Sequence, residues 1–532
     1  MVYRFTTKSG VKKERMKEMK KLISCVLVLA MMLTMAVALT GCGNNSAEGD
    51  GKFTVWGLNS EDGSNMDTYN YYHELWQSKT DVPLEFIGGD INMMMSAGDY
   101  PDIIPKFQFQ NSDIVKYASQ GVFISLDEYI SEENTPNIWK MFEEYPESKA
   151  TATAPDGHIY ALPSFNNNPG SYIETYWYIN KVWLDKLGLE VPTTLDELYT
   201  VLKAFKTGDP NGNGKADEIP LSYYNAHSYS YTEALLSSFG VATKHGMFDQ
   251  YLTIQDGVVK FTPTMDEYKA MVEYYAKLNA DGLLDIEGFT YDYAQFNSRV
   301  VSETPVIGCL WTTDNPFGAN ADEYIVIPPI AADENTKPLV HVHPGIVGTK
   351  NLAVVTAACE DPAKALQWLD TFYDEEASII NKYGANSLTK EGDMYKWNTP
   401  EDGKSLNEMI YANTVIGGAV PSFIPVRNIG TKLEDCELFS TSREKYEMYS
   451  EYLDDETWPR PYFTAEDAEK LSVIQTDLFN YVEQKKADWM TGKSDVKAEW
   501  DEFQKKMKEL KVDEFVSINQ KSYDVYKEAM GK

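Results

Sequence analysis

The chain has 532 residues, with 48 Lys plus Arg against 81 Asp plus Glu, a formal net charge of −33 and 13% aromatic residues. That length suits two or more domains with a large buried core. So acidic a surface repels phosphate backbones and argues against nucleic acid as a partner.

Basic residues Lys12, Lys13, Arg15, Lys17, Lys20 and Lys21 precede the almost wholly apolar run 22–39, and small residues then lead to Cys42. A charged region, an apolar region and a small-residue site, in that order, form an export signal. The run is also long enough to stay as a membrane span, the alternative to cleavage. The tetrapeptide Leu39-Thr40-Gly41-Cys42 resembles the lipobox of bacterial lipoproteins. That resemblance implies a signal peptide over 1–41 and a lipid on Cys42 that holds the protein at the extracellular face of the cell membrane. Residues 42–51 are small and polar and read as a flexible tether. Beyond them only Cys309, Cys359 and Cys436 remain, a set with neither a disulfide framework nor zinc spacing, in which at most one bridge can form.

Strand and helix patterns then alternate. Residues 52–58 read as a first strand, 102–104 and 324–327 as short apolar strands near prolines, and 175–179 as a strand with aromatic residues in period two. Thr194-Leu195-Asp196-Glu197 is a capping box that opens a helix with Leu195, Leu198, Leu202 and Phe205 on one face. Thr464 opens another, striped by Leu471, Ile474, Leu478 and Val482, and Val496, Trp500, Phe503, Met507 and Leu510 mark a third. The class is α/β.

Between the first of these helices and the next strand lies Asp209-Pro210-Asn211-Gly212-Asn213-Gly214-Lys215-Ala216-Asp217-Glu218. Oxygen side chains at positions 1, 3, 5 and 9 with glycine at 6 repeat the spacing of a calcium loop, in which alternate residues turn toward a hard cation. Lys215, at position 7, would offer its carbonyl. Pro220 replaces the usual glutamate at position 12, so Glu218 must supply the closing carboxylate, and 219–222 reads as extended rather than as a second helix. A structural Ca²⁺ is therefore expected rather than a sensor, with an empty Asn-Gly turn as the alternative.

Pro101-Asp102-Ile103-Ile104, Gly121-Val122-Phe123-Ile124-Ser125-Leu126, Asp156-Gly157-His158-Ile159-Tyr160-Ala161-Leu162-Pro163, Tyr178-Ile179-Asn180-Lys181 and Pro192-Thr193-Thr194-Leu195-Asp196-Glu197 together resemble, in order and spacing, the family 1 extracellular solute-binding proteins of ABC importers. Within that family the loop is similar to that of the large oligosaccharide- and alginate-binding lipoproteins. There the calcium ligands correspond to Asp209, Asn211, Asn213, Asp217 and Glu218 plus the Lys215 carbonyl, all present here. The resemblance implies a periplasmic-binding-protein-like type II fold of two discontinuous α/β lobes around a hinge and cleft. Lobe 1 would comprise 52–163 and 329–390, lobe 2 would comprise 164–328 and 391–532, and the chain would cross near 162–166 and 327–330. A monomer that closes on an oligosaccharide and delivers it to an ABC permease is the expected function.

Sugars present CH faces to flat rings and hydroxyls to polar partners, and 35 Tyr, 11 Trp and 22 Phe supply the rings. The candidates are Trp311, at the end of an apolar run, Trp56 and Asn59 at the end of the first strand, Phe165 and Asn166 at the expected hinge, and one of Tyr176 and Trp177, since strand side chains alternate. Arg427 could fork to hydroxyls or a sugar carboxylate, and Trp458 could line the cleft rim. Core packing is the alternative for each ring, and a structural ion pair for Arg427. No nucleophile elbow, dinucleotide fingerprint or complete phosphate loop is present, and His341-Val342-His343 lacks a third zinc ligand. The chain is thus expected to bind without catalysis. A peptide or other solute receptor and, further off, a surface polysaccharide hydrolase are the competing readings.

Overall fold

The computed structural model describes residues 52–57, 73–74, 77–78, 81–167, 173, 175–224, 230–243, 251–312, 316–342, 350–401, 403–414, 420–456 and 462–531. The signal, Cys42, the tether, Asn59, His343 and Trp458 lie outside the described residues.

Two four-stranded sheets organise the chain. In the first, Val354–Val355, Ile103–Ile104, Phe53–Trp56 and Leu84–Ile87 lie in that order; Phe53–Trp56 runs parallel to both its neighbours, and Val354–Val355 is antiparallel to Ile103–Ile104. Because side chains alternate along a strand, each pair of neighbours feeds two cores. Ile103 and Val355 face the cluster of Val55, Ile138, Trp368 and Phe372, whereas Ile104 and Val354 face that of Ile91, Ile114 and Phe123. In the second sheet the order is Tyr324–Ile327, Tyr176–Asn180, Ile307–Thr312, Ile219–Ser222, antiparallel but for the last pair. Trp177 and Ile179 enter one core, and Tyr176 and Tyr178 the other.

The capping signals are realised. Thr194 accepts from the Glu197 amide at 3.3 Å while Glu197 accepts from the Thr193 amide at 2.8 Å, starting the helix Leu195–Thr207. Its buried stripe, Leu195, Leu198, Val201, Leu202 and Phe205, lies on the second sheet so closely that a Cβ on Gly308 would sit 2.4 Å from the Phe205 ring. Only glycine fits there. Thr464 caps Ala465–Met490, which packs with Val496–Glu509 and Val512–Ala529 on the same core.

Long-range packing partitions the chain differently from the expected boundaries. Phe165 lies in the first lobe's core, and Phe165–Asn166 pairs in parallel with Phe423–Ile424. Tyr395, Val420, Leu433 and Phe439, expected with the second lobe, also pack in that first core. The short apolar runs of 388–439 carry no mark of which sheet they will cover. Ile327 and Ile330 belong to the second lobe's core and Ala353 to the first, so the second crossing comes after the expected 327–330. Next to it the two crossing segments pair, Leu162 N–H donating to the Ala353 carbonyl at 2.8 Å.

Candidate functional site

Trp177 and Trp311 are register partners on adjacent antiparallel strands, which places both indoles on one face of the second sheet. Their rings meet edge-on at 5.1 Å. Trp311 also stacks parallel to Tyr223 at 6.2 Å, and its Nε1 donates to the Tyr231 carbonyl at 2.7 Å. It is fully buried. Beside the pair is a chamber of ≈ 40 Å³ lined by Thr175, Trp177, Tyr231, Trp311, His341 and Tyr449. That is room for water molecules or a single sugar substituent rather than a whole ring. Tyr449 closes one side: its hydroxyl accepts from the Trp177 amide at 3.0 Å and donates to the Ile327 carbonyl at 2.9 Å. Tyr176, on the opposite face, meets Tyr449 edge-on at 5.0 Å and lies under the Lys445 ammonium at 5.2 Å.

The other described candidates belong to the first lobe. Trp56 ends the first strand half-buried; its Nε1 donates to Gly89 O at 2.9 Å, and its ring meets Phe107 edge-on at 5.8 Å. Phe165 is buried against Tyr145 at 4.2 Å, with half-buried Asn166 next to it. Arg427 is half-exposed and paired, with Nη2 2.8 Å from Glu144, 3.8 Å from Glu375, and Nη1 donating to the Tyr145 hydroxyl at 3.2 Å. The structure therefore brings Trp177 and Trp311 together, leaves Tyr176 on the opposite face, and gathers Phe165 and Arg427 around Phe423. Tyr223, Tyr231 and Tyr449 complete the tryptophan wall and were not singled out from sequence. They sit in segments whose patterning marks nothing but core or helix.

The loop 209–218 is folded on its own oxygens. The Gly214 amide donates to Asp209 at 3.1 Å, Asn213 N–H to Asn211 Oδ1 at 3.0 Å and Lys215 N–H to Asn213 Oδ1 at 2.8 Å. Gly214, at position 6, has φ +72°, the left-handed turn the spacing requires. The Asn211 and Asn213 amides converge on Asp217 at 3.1 Å; burial raises that carboxyl, but these amides and Lys215 outweigh it and hold it below the usual range. Glu218 is 2% exposed, its Oε1 has no hydrogen-bond partner, and burial raises its carboxyl. A buried, unsatisfied carboxylate oxygen is costly unless something positive meets it. Among the described residues no three His, Cys, Asp or Glu side chains converge as a ready-made metal cluster. The amide and backbone oxygens of the loop would complete the donor set, which is the oxygen-rich chemistry a hard cation accepts. These residues fit the ion.

Two α/β lobes with mixed sheets and repeated crossings define the type II periplasmic-binding class. The family model for bacterial extracellular solute-binding proteins matches residues 63–379, and the chain belongs to that family. It is 30% identical, over 89% of its own length and 87% of the relative's, to the fructooligosaccharide ABC transporter substrate-binding protein FusA of Streptococcus pneumoniae. The solved structure of FusA in complex with kestose matches with a TM-score of 0.71 and 28% identity, covering 90% of this chain and 99% of that one. An HMO-binding, ABC-transporter-associated solute-binding protein from Bifidobacterium longum infantis matches with a TM-score of 0.75 at 28% identity, with the same coverage. Among the described residues no helix is long and apolar enough to cross a membrane.

Proposed function

We propose that this chain is a lipid-anchored extracellular receptor that captures an oligosaccharide between its lobes and hands it unaltered to an ABC permease. The observation that carries the reading is kinship along nearly the whole chain with FusA, at 30% identity. A binding protein gains its closed state from contacts the ligand makes with both lobes. Here Trp56, half-buried at the strand ends of the first lobe, supports the reading as a ring of the kind sugars stack upon, while Trp177 and Trp311 are buried and only border the small chamber. Cys42, after its apolar run, is the proposed anchor.

The loop 209–218 is proposed to hold one structural Ca²⁺ through Asp209, Asn211, Asn213, Asp217, Glu218 and the Lys215 carbonyl. The orphaned Glu218 Oε1 supports this, and one solved form of FusA is an EF-hand mutant in complex with fructo-nystose. The ion would pin the loop between the helix Leu195–Thr207 and the strand Ile219–Ser222.

Calorimetric titration of the soluble chain from residue 43 onward with kestose, nystose, milk oligosaccharides, galacturonan oligomers and peptides tests the receptor reading. Saturable binding of one sugar class without product supports it. Peptide binding alone, or release of shorter glycans, overturns it.

A further inference from the structure

The sequence holds two Asn-Gly pairs, Asn211-Gly212 and Asn213-Gly214, and both fall in the loop 209–218. Such a pair is the one most prone to deamidation, because the glycine has no side chain to keep its amide nitrogen from the asparagine carboxamide. Both glycines are exposed, and a Cβ on either would meet nothing within 4 Å, so solvent reaches both. What separates them is how each attacking amide is held.

One residue holds both. Asp209 lies in the left-handed region at φ +43°, a conformation that glycine, asparagine and aspartate tolerate best. Its backbone carbonyl accepts from the Gly212 N–H at 3.0 Å, and its carboxylate accepts from the Gly214 N–H at 3.1 Å. An amide engaged in this way is not free to give up its proton and attack. The carboxamides differ as well. Asn211 Nδ2 donates to Asp217 at 3.1 Å and, beyond the loop, to Pro305 O at 3.3 Å. Asn213 Nδ2 donates inside the loop, to both Asp217 oxygens at 3.1 Å, and its Oδ1 accepts from the Lys215 N–H at 2.8 Å. Asn211-Gly212 is thus fixed by main chain and by a distant segment. Asn213-Gly214 is fixed within the loop, and its attacking amide is held by a side chain.

We propose that Asn213 is a deamidation site guarded by the Asp209 side chain, whereas Asn211 is kept intact by the Asp209 main chain. When the carboxylate releases it, Gly214 N attacks Asn213 Cγ. The N–Cγ bond forms, the Cγ–Nδ2 bond breaks, and the amide proton leaves with Nδ2 as ammonia. Water then opens the cyclic succinimide at either carbonyl to give aspartate or isoaspartate, so the net change is water consumed and ammonia released. The aspartate product puts a carboxylate at position 5 of the loop. The isoaspartate product lengthens the main chain there by a methylene, which breaks the alternation that turns 209, 211, 213 and 217 the same way. The inference rests on the loop's own bonds and not on the calcium reading.

The soluble chain from residue 43 onward and its Asp209→Gly and Asp209→Asn variants are aged in mildly alkaline buffer, and peptide mapping by mass spectrometry reads conversion at 211 and 213 separately. Chelator is present in every sample, so failure of the calcium reading and failure of the guard are read apart, and melting curves check that each chain is folded. In the unaltered chain Asn213 should convert before Asn211. Asp209→Gly keeps the left-handed turn and the carbonyl but removes the carboxylate. Asn213 should then convert about tenfold faster or more, the scale of a lost hydrogen bond to a charged group, with Asn211 within about twofold. Asp209→Asn retains a side-chain acceptor and should stay nearer the unaltered rate. In urea the two pairs should convert at similar rates in all three chains, because only the fold distinguishes them. Earlier conversion at Asn211, an unchanged Asn213 rate in Asp209→Gly, equal acceleration at both sites in a folded variant, or the folded order repeated in urea overturns the proposal. Should Asp209→Gly fail to fold, the order in the unaltered chain and the rate in Asp209→Asn decide it.

Discussion

Tyr462 and Phe463 are neighbours in sequence, yet they pack in different lobes. Tyr462 is buried with Ile104, Phe109 and Phe123, whereas Phe463 lies against the core of Leu471 and Phe515. Consecutive side chains in extended backbone point opposite ways, so a single peptide can hand the chain from one lobe to the other. The Tyr462 hydroxyl donates to Asn351, whose own amide donates to Phe109 O at 3.0 Å and Asn111 Oδ1 at 2.9 Å. Two crossings are thereby tied at one node.

The calcium loop gives the first prediction. A chelator should lower the thermal midpoint of a Ca²⁺-loaded sample by several degrees, since a ligand at a hundredfold over its Kd adds about 2.7 kcal/mol to the folded state. Glu218→Gln should shrink that difference sharply. Identical melting with and without chelator in the unaltered protein would count against the ion.

Lys486 is 1% exposed, 2.7 Å from Glu233 and 3.0 Å from Glu483. Lys486→Met leaves the buried Glu233 carboxylate without its cation, and such a break costs about 3–5 kcal/mol. Urea unfolding should show that loss, and adding Glu233→Gln should recover more than half of it. Strictly additive losses would mean that the pair is not coupled.

Asp370 predicts a pH dependence. Its carboxylate accepts from the Ile138 and Asn137 amides at 2.8 and 3.3 Å, satisfying free N–H groups in the first turn of Pro136–Glu144. Burial outweighs these bonds and pushes its pKa up to about 6. The folded state therefore holds the proton more tightly than the unfolded chain. Its contribution is complete below about pH 4 and is lost as pH rises through about 6, some 2–3 kcal/mol for a shift of about two units. The stability difference between the unaltered protein and Asp370→Asn should move by that amount in favour of the variant between pH 4 and 6.5. A pH-independent difference would refute the raised value.

Arg427 separates a sugar clamp from an ion pair. Its guanidinium is already engaged by Glu144 at 2.8 Å on a half-exposed surface, so Arg427→Gln should cost less than about 1 kcal/mol. Sugar affinity should stay within about twofold. A tenfold loss of affinity at unchanged stability would restore Arg427 to the binding site.

The parts legible in the sequence are those governed by neighbours. Thr194 with Glu197 and Thr464 with Asp467 act across one turn, so both helix starts could be read off, and the stripe Leu471, Ile474, Leu478, Val482 is buried as its period requires. The helix Glu437–Tyr449 shows why reading fails elsewhere. Among its residues only Phe439 and Tyr449 are buried, ten apart is too sparse for a face, and they enter different lobes. The candidate site divides in the same way. Alternation separated Tyr176 from Trp177 in the sequence, but nothing local indicates that Trp177 meets Trp311 or that its amide meets Tyr449.

The sequence by itself determined the α/β class, the family, the capped helices and the order of oxygens in 209–218, because hydrogen-bonding reach and strand or helix period operate within a few residues. The tertiary structure alone decided that Tyr395, Val420, Leu433 and Phe439 join the first core, that Trp311 is enclosed and tied to Tyr231, and that Tyr449 bridges Trp177 and Ile327. Those outcomes depend on which distant segments bury the most apolar surface together while leaving no amide or carbonyl unpaired, a balance struck over the whole chain.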